Sequence, residues 1–582
     1  MRLENKSLPR RKLTTTDVAA HASMLGKVLH LCRRDDAAVV KALYETKAVD
    51  DVEALDKVTF LDQFLTFLRS LSVFPLLEKM DPEMRVRATI SWAAMIGVYI
   101  MRIVLGIPSL PQTEGLILTD PSLMALFGLA GFVAQGVTRR GLSRAQELPE
   151  VRGAFSGEVI ADTLVKVSLT ALARVFNAVI CILAQAGFFP KRVHAIVDCT
   201  DLEATPKYRT LDGSPVASVT RKKRPRHSNN RHAPKVATTV WGWKVWLMFC
   251  PTSGIPIALY VDRINVDDRV WMWALVMQGK ANLGEGRLAG VSFDRGFWDG
   301  QELYLLAKEV PFFIPGKSDL GITKEARRMA IEAHGRYQKG LPVKDVVVAT
   351  RTVTVVTGRG KRRRKQQKEL IVIGIKELDC DTYAAEPPGS RVHSKSFVAN
   401  TLNAAVVMED PSYPDPPEDD KYLTILTCAA MESARDVLFA YDRFDDRSVI
   451  ENTGNKEAKQ AWYLQAPLEK SERAVYLHAF MVFMLMALMA AFRARQEAEE
   501  QAVAQGQETG MERYRREIER ANRNKVLVRE GDCYAVLWAW EFAVLAGIQL
   551  RKRPAESAQS ILERYGVVPE SRPSATAEGP SP

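Results

Sequence analysis

Residues Leu288–Gly300 read LAGVSFDRGFWDG, a short apolar strand that ends on an acidic residue, Asp294, and turns through Arg295 and Gly296 toward a helix start at Asp299. With Val291 and Phe293 facing a core, the two-residue period of a strand turns Ser292 and Asp294 to the other face. Asp294 then has two readings. It is a carboxylate that closes a turn, or a metal ligand at the open end of a sheet, where α/β folds gather their sites. Partners elsewhere in the chain separate the two. Asp299 suits a helix N-cap.

The surrounding texture is mixed α/β. VHAIVDC (Val193–Cys199), Val236–Phe249 and Ile255–Val261 read as three strands, the last two joined by the turn Pro251–Gly254. Helix and strand alternate from Val266 to Pro315. Ahead of them the chain is mostly helical: Phe60–Met80 carries apolar residues at three- and four-residue spacing, and Glu83–Leu105 and Val159–Ala186 read as long helices. After a helix at Lys324–Tyr337, β-branched and alternating runs return at Asp345–Val356, Leu370–Ile375 and Ala404–Val407, and helices follow from Ser433. This divides the chain into a mostly helical region 1–150, a DNA-binding domain or a packing scaffold, a first core part 151–337, an inserted β-rich subdomain 338–430, a second core part 431–550 and a disordered tail 551–582. The tail is rich in Pro, Ser, Ala and Glu.

The chain has 582 residues, 47% of them hydrophobic, which supports a sizeable core. Its net charge of +11 is clustered. Lys207–Lys244 holds ten Lys/Arg against the single acid Asp212, centred on TRKKRPRHSNNRHAP with Arg221, Lys222, Lys223, Arg224 and Arg226. Arg359–Lys368, RGKRRRKQQK, is a second basic cluster on a hairpin tip. Such clusters suit a polyanion, and nucleic acid above all. Seven cysteines form no CxxC pair, which argues against a zinc ribbon and a disulfide framework and for a reducing cytoplasm. The basic start MRLENKSLPRRKL has no apolar signal core. Ala474–Phe492 is nearly long enough to span a bilayer, but with His478 and four methionines it reads as a buried core helix, and His478 as a hydrogen-bonded core histidine.

Two further acids match Asp294. Asp198 closes the apolar run VHAIVDC. Asp201 is its rival, but on a continuing strand the two face opposite sides. Glu451 lies four residues after Arg447, so the pair shares a helix face. That pairing alone reads as a surface salt bridge. Lys459 follows Glu451 at a distance that its long side chain spans.

In this order the motifs resemble the DDE transposases of bacterial insertion sequences, in the group with a β insertion between the second Asp and the Glu. The matching residues are Asp198-Cys199-Thr200, Trp241–Lys244 with Thr252–Pro256, Phe293–Phe297 with Gly300 and Leu303, and Phe444, Arg447, Glu451, Asn452 and Lys459, which are similar to the family's Tyr–Arg–Glu–Lys helix signature. Phe444 replaces the usual tyrosine, and Lys459 comes one residue later than the common spacing.

The resemblance implies a ribonuclease-H-like core, a mixed sheet with helices, in which Asp198, Asp294 and Glu451 are catalytic and ligate Mg²⁺ or Mn²⁺, two ions in all. Hard oxygen donors suit both metals. It implies an endonuclease and strand-transfer enzyme acting on double-stranded DNA, both element ends with terminal inverted repeats and target, as a homodimer on DNA in the bacterial cytoplasm at the nucleoid, with no membrane partner. Arg447, Lys459, Lys244 and the basic residues Arg221–Arg226 then hold DNA phosphates. A transposase-derived DNA-binding protein without transposition activity is the alternative.

Overall fold

The computed structural model describes residues 33–55, 58–82, 92–118, 120–127, 157–223, 236–343, 345–357, 364–385, 400–411, 421–503, 525–548 and 556–567. The chain folds as two compact units, Met1–Val167 with Gln501–Pro582, and Ser168–Glu500.

The first unit joins both ends of the chain. Its sheet orders Arg33–Arg34, Cys533–Trp538, Lys525–Glu530 and Asp51–Leu55 side by side. Asp62, on the helix Thr59–Ser70, accepts from Arg34 at 2.7 Å and from Lys525 at 3.0 Å. Burial alone would raise the Asp62 carboxyl, but the two cations override it and hold it below its usual range. Two expectations are corrected here. Residues 551–582 are not all disordered tail, because Ala558–Arg564 is helical and buries Ile561 and Leu562 against Val39, Val40 and Val528. The helical N-terminal region also does not stand alone, since its strands pair with the hairpin at 525–538.

The expected helix Val159–Ala186 is two helices, Gly157–Leu164 and Leu169–Gln185, the second capped by Ser168, whose hydroxyl accepts from the Ala171 amide. A serine at that position satisfies an orphan amide of the first turn and starts a new helix.

The second unit is built on one ten-stranded sheet. In chain order its strands are β1 (Val193–Ala204), β2 (Ser218–Lys223), β3 (Val236–Cys250), β4 (Ile255–Arg263), β5 (Leu288–Phe293), β6 (Phe312–Pro315), β7 (Val346–Thr357), β8 (Arg364–Cys380), β9 (Asn400–Glu409) and β10 (Thr424–Thr427). Antiparallel β1, β3 and β4 form a meander, with β2 also on β3. On its other edge β1 pairs in parallel with β5, and β5 in parallel with β6. Beyond β6 the sheet continues through β10, β9, β8 and β7, all antiparallel. The inserted β segment 338–430 is therefore no separate subdomain: its hydrogen-bonding edge is absorbed by β6, and the core sheet simply widens. The extension covers the edge that β6 would otherwise expose and moves it to β7.

Sequence dictates this order locally. The second half of β3 is buried on both faces, and Trp243 and Trp246 are wholly enclosed, as suits a central strand. Gly242, in the WGWK motif, has φ of +144° and lies so close to the Leu202 carbonyl that any Cβ would collide with it. The helix Ala434–Asp445 packs on the widened sheet, with Val437 set over Gly374. The helix Glu472–Val503 carries the apolar run. By length and hydropathy it could cross a membrane, yet 89% of its most apolar window is buried inside the protein. Each fully buried Leu, Met or Phe there contributes about 1.5–3 kcal/mol. His478 is among them, and its Nε2 lies 2.9 Å from the Tyr463 carbonyl, as a core histidine should.

Candidate active site

The site forms where β1 passes the end of β5. Val197 pairs with Phe293, so Asp198 and Asp294 are the next residues on two neighbouring parallel strands. β5 stops at Phe293, and Asp294 opens a short 3-10 turn, Arg295–Phe297. Asp299 then caps the next helix by accepting from the Glu302 amide.

A third element supplies Glu451. It begins as the α-turn Arg447–Val449, becomes a π-helix over Ile450–Lys456 and returns to α at Glu457–Gln460. Gly454 lets it lie close to Leu247 and Phe249 of β3. Ser292 Oγ of β5 donates to the Arg443 carbonyl at 2.9 Å, and Arg443 pairs with Asp446, which fixes the approach to this helix.

Arg447 Nη1 reaches Asp294 at 2.6 Å and Glu451 at 3.5 Å, and its guanidinium lies over the Phe444 ring. Phenylalanine in place of the family's tyrosine thus keeps an aromatic face for the arginine. The π turn accounts for the late lysine. It takes in one more residue than an α turn, so Lys459 falls within about 20° of the direction of Glu451, where the seventh residue of a regular helix would stand.

Asp198 is partly buried. Its Oδ1 accepts from the Cys199 amide at 2.8 Å and its Oδ2 from Asn455 Nδ2 at 2.9 Å. Burial pushes its carboxyl up to about 6; the Cys199 amide and Arg447 oppose the shift, and the negative charges of Asp294 and Glu451 add to it. Asp201 is excluded from the site, being paired with Arg221 at 2.9 Å.

Among the described residues no three His, Cys, Asp or Glu side chains are gathered closely enough to hold a metal ion. The Arg447 guanidinium stands between Asp294 and Glu451 as a fixed positive charge. The donor chemistry nonetheless fits a divalent cation. Three carboxylates face one guanidinium, the innermost of them has its charged form disfavoured, and the buried Asn455 Oδ1 accepts no hydrogen bond among the described residues. As placed, Asp294 and Glu451 are held by Arg447, and Asp198 by the Cys199 amide and Asn455, so a shared cation would require the three carboxylates to draw together.

Asp294, Arg447 and Glu451 also line a cleft of about 1280 Å³ along the widened sheet, where Arg295, Arg327, Lys368 and Lys421 stand among the acids Glu369, Glu409, Asp410 and Asp445. The other basic residues read from the sequence divide. Arg221 is paired with Asp201, and Lys222 and Lys223 lie with it on β2. Arg224 and Arg226 lie outside the described residues, as do 359–363 of the tip Arg359–Lys368, whose other half, 364–368, begins β8. Lys244 needs correcting. Its side chain is only 5% exposed and its Nζ binds Asp268 at 2.5 Å and the Val266 carbonyl at 2.7 Å, so it has no face for a phosphate. Sequence reading missed Asp268 and Asn455. It picked Asn452, which instead donates to the Ser448 carbonyl of its own helix.

No family model and no curated protein matches this chain. Among solved structures, a piggyBac transposase synaptic complex with hairpin DNA is similar over 82% of this chain and 83% of that one, at 8% identity and a TM-score of 0.33, an overlap too loose to carry a functional argument.

Proposed function

We propose that the chain is a DDE-type transposase that cuts DNA at the ends of a mobile element and joins them to a target by metal-dependent phosphoryl transfer. The observation that carries this reading is the parallel pairing of Val197 with Phe293, which sets Asp198 on β1 beside Asp294 just past the end of β5, with Arg447 of the third element reaching both Asp294 and Glu451. The strand order β4-β3-β1-β5-β6, with β5 and β6 parallel to β1, supports a ribonuclease-H-like core. The motif resemblance supplies the reaction class.

Asp198, Asp294 and Glu451 hold the metal, Mg²⁺ or Mn²⁺. Bound there, two such ions would activate a water or a 3′-hydroxyl and stabilise the leaving oxygen of a phosphodiester. The chain's own groups do the rest. The Cys199 amide and Asn455 fix Asp198. Arg447, whose planar fork suits phosphate as well as carboxylate, transfers part of its pairing to a DNA phosphate. Lys459 adds a second cation on the same helix face, and the cleft beside the site receives the DNA backbone.

The test is direct. Incubated with Mg²⁺ and linear DNA spanning both flanks of its own gene, the full chain is expected to cut at terminal inverted repeats, and EDTA to abolish the cuts. Binding of that DNA with no cut in either Mg²⁺ or Mn²⁺ would point instead to a transposase-derived DNA-binding protein.

A further inference from the structure

We infer that Asn455 is a positioning residue of this site, holding the Asp198 carboxylate in the orientation that metal binding requires; the inference rests on the metal-centre reading above. Asn455 lies in the π-helical turn, 8% exposed, and reaches 257 residues back along the chain to donate Nδ2 to Asp198 Oδ2 at 2.9 Å. The other Asp198 oxygen is held by the Cys199 amide at 2.8 Å. The two donors together fix the plane of the carboxylate, one from the strand and one from the helix.

Packing does not explain an amide here. Asn455 Oδ1 is buried and accepts no hydrogen bond among the described residues. A leucine, of the same branched outline, would leave no acceptor unmet, and buried acceptors without partners are costly. The feature that uses the side chain is Asp198. Asn455 and Glu451 lie in the same π-helical stretch, four residues apart, Glu451 exposed and Asn455 buried. One helix thereby presents a ligand and, separately, a donor that orients another ligand, a common arrangement for residues behind a metal.

The experiment is Mn²⁺ titration calorimetry on the full chain, with metal-free melting recorded alongside. Asn455→Leu and Asn455→Ser both remove the amide, one keeping its branched outline and the other its polarity. Each is expected to weaken Mn²⁺ binding at least about tenfold, with melting of the metal-free serine variant close to wild type, while Asp198→Asn abolishes binding. Wild-type Mn²⁺ affinity in either folded Asn455 variant would overturn the inference and leave the metal centre standing. So would a variant whose melting falls while its affinity is kept, which is the mark of a packing role. A wild-type chain that binds no Mn²⁺ would overturn the metal-centre reading, and this inference with it.

Discussion

Arg447 Nη1 lies 2.6 Å from Asp294 Oδ1, joining residues 153 positions apart, and the same nitrogen is 3.5 Å from Glu451. The contact makes one guanidinium the counter-charge for two of the three acids of the site. Both partners are partly solvated, so the pair contributes about 1 kcal/mol to stability at most. Arg447→Ala is therefore expected to change unfolding free energy by no more than that while lowering DNA cleavage about 100-fold, because a charge aimed at phosphate is lost. Arg447→Lys should recover only part of the activity, having no fork. Chemical denaturation and single-turnover cleavage check the two halves separately.

Lys244 belongs to the fold. Its ammonium is enclosed with Asp268 and the Val266 carbonyl. Lys244→Met leaves Asp268 without its cation, and is expected to cost about 2–3 kcal/mol, toward the low end for a broken buried pair because Asp268 keeps some water contact. DNA affinity of the folded variant, measured by filter binding across a salt series, should keep the wild-type slope. A slope flattened by a whole contact would restore Lys244 to the phosphate-binding set.

His194, near the start of β1, gives the unit an acid sensitivity. Burial, then Arg443 and Arg192, hold its pKa down at about 4, from an ordinary 6.5. The folded state keeps the ring neutral, so its contribution is complete above pH 6.5 and is lost as pH falls toward 4, where the unfolded chain takes up the proton first. The ring is partly exposed, which cuts the effect to about 1–2 kcal/mol. Its edge packs on Phe439 with centroids 5.0 Å apart, and its Nδ1 is buried with no hydrogen-bond partner among the described residues. His194→Phe should keep the packing and remove that part of the pH dependence. Denaturant midpoints of both proteins at pH 7 and pH 4.5 measure it; parallel losses would refute the assignment.

The parts of the site set by local pattern were legible in the sequence. An apolar strand that stops on an acid is visible as such, and so is an Arg–Glu pair at helical spacing. Their assembly depends on the parallel pairing of β1 with β5, which the alternation of elements makes natural. Other parts depend on contacts that no local pattern encodes. Lys244 looks like one more cation in a basic run, and only burial of both faces of β3 closes it off from solvent. Asn455 looks like one more polar residue on a helix, and only its contact with Asp198, 257 residues back, shows it facing inward. A π turn has no strong sequence signature; here its one trace was a lysine one residue late. The insertion read as a body of its own because sequence shows strands but not which edge they pair with. The helix Ala558–Arg564 was hidden by a flanking composition typical of tails.

The central claim is that Asp198, Asp294 and Glu451 act together on a phosphodiester. The measurement is metal-dependent cleavage of the gene's own flanking DNA by Asp198→Asn, Asp294→Asn and Glu451→Gln, set beside DNA binding by the same proteins. Each variant is predicted to bind the DNA within about threefold of wild type and to cut it at least about 1000-fold more slowly in Mg²⁺, since each removes a ligand rather than a DNA contact. Cleavage at the wild-type rate by any one of the three, in a protein that still binds, would contradict the site.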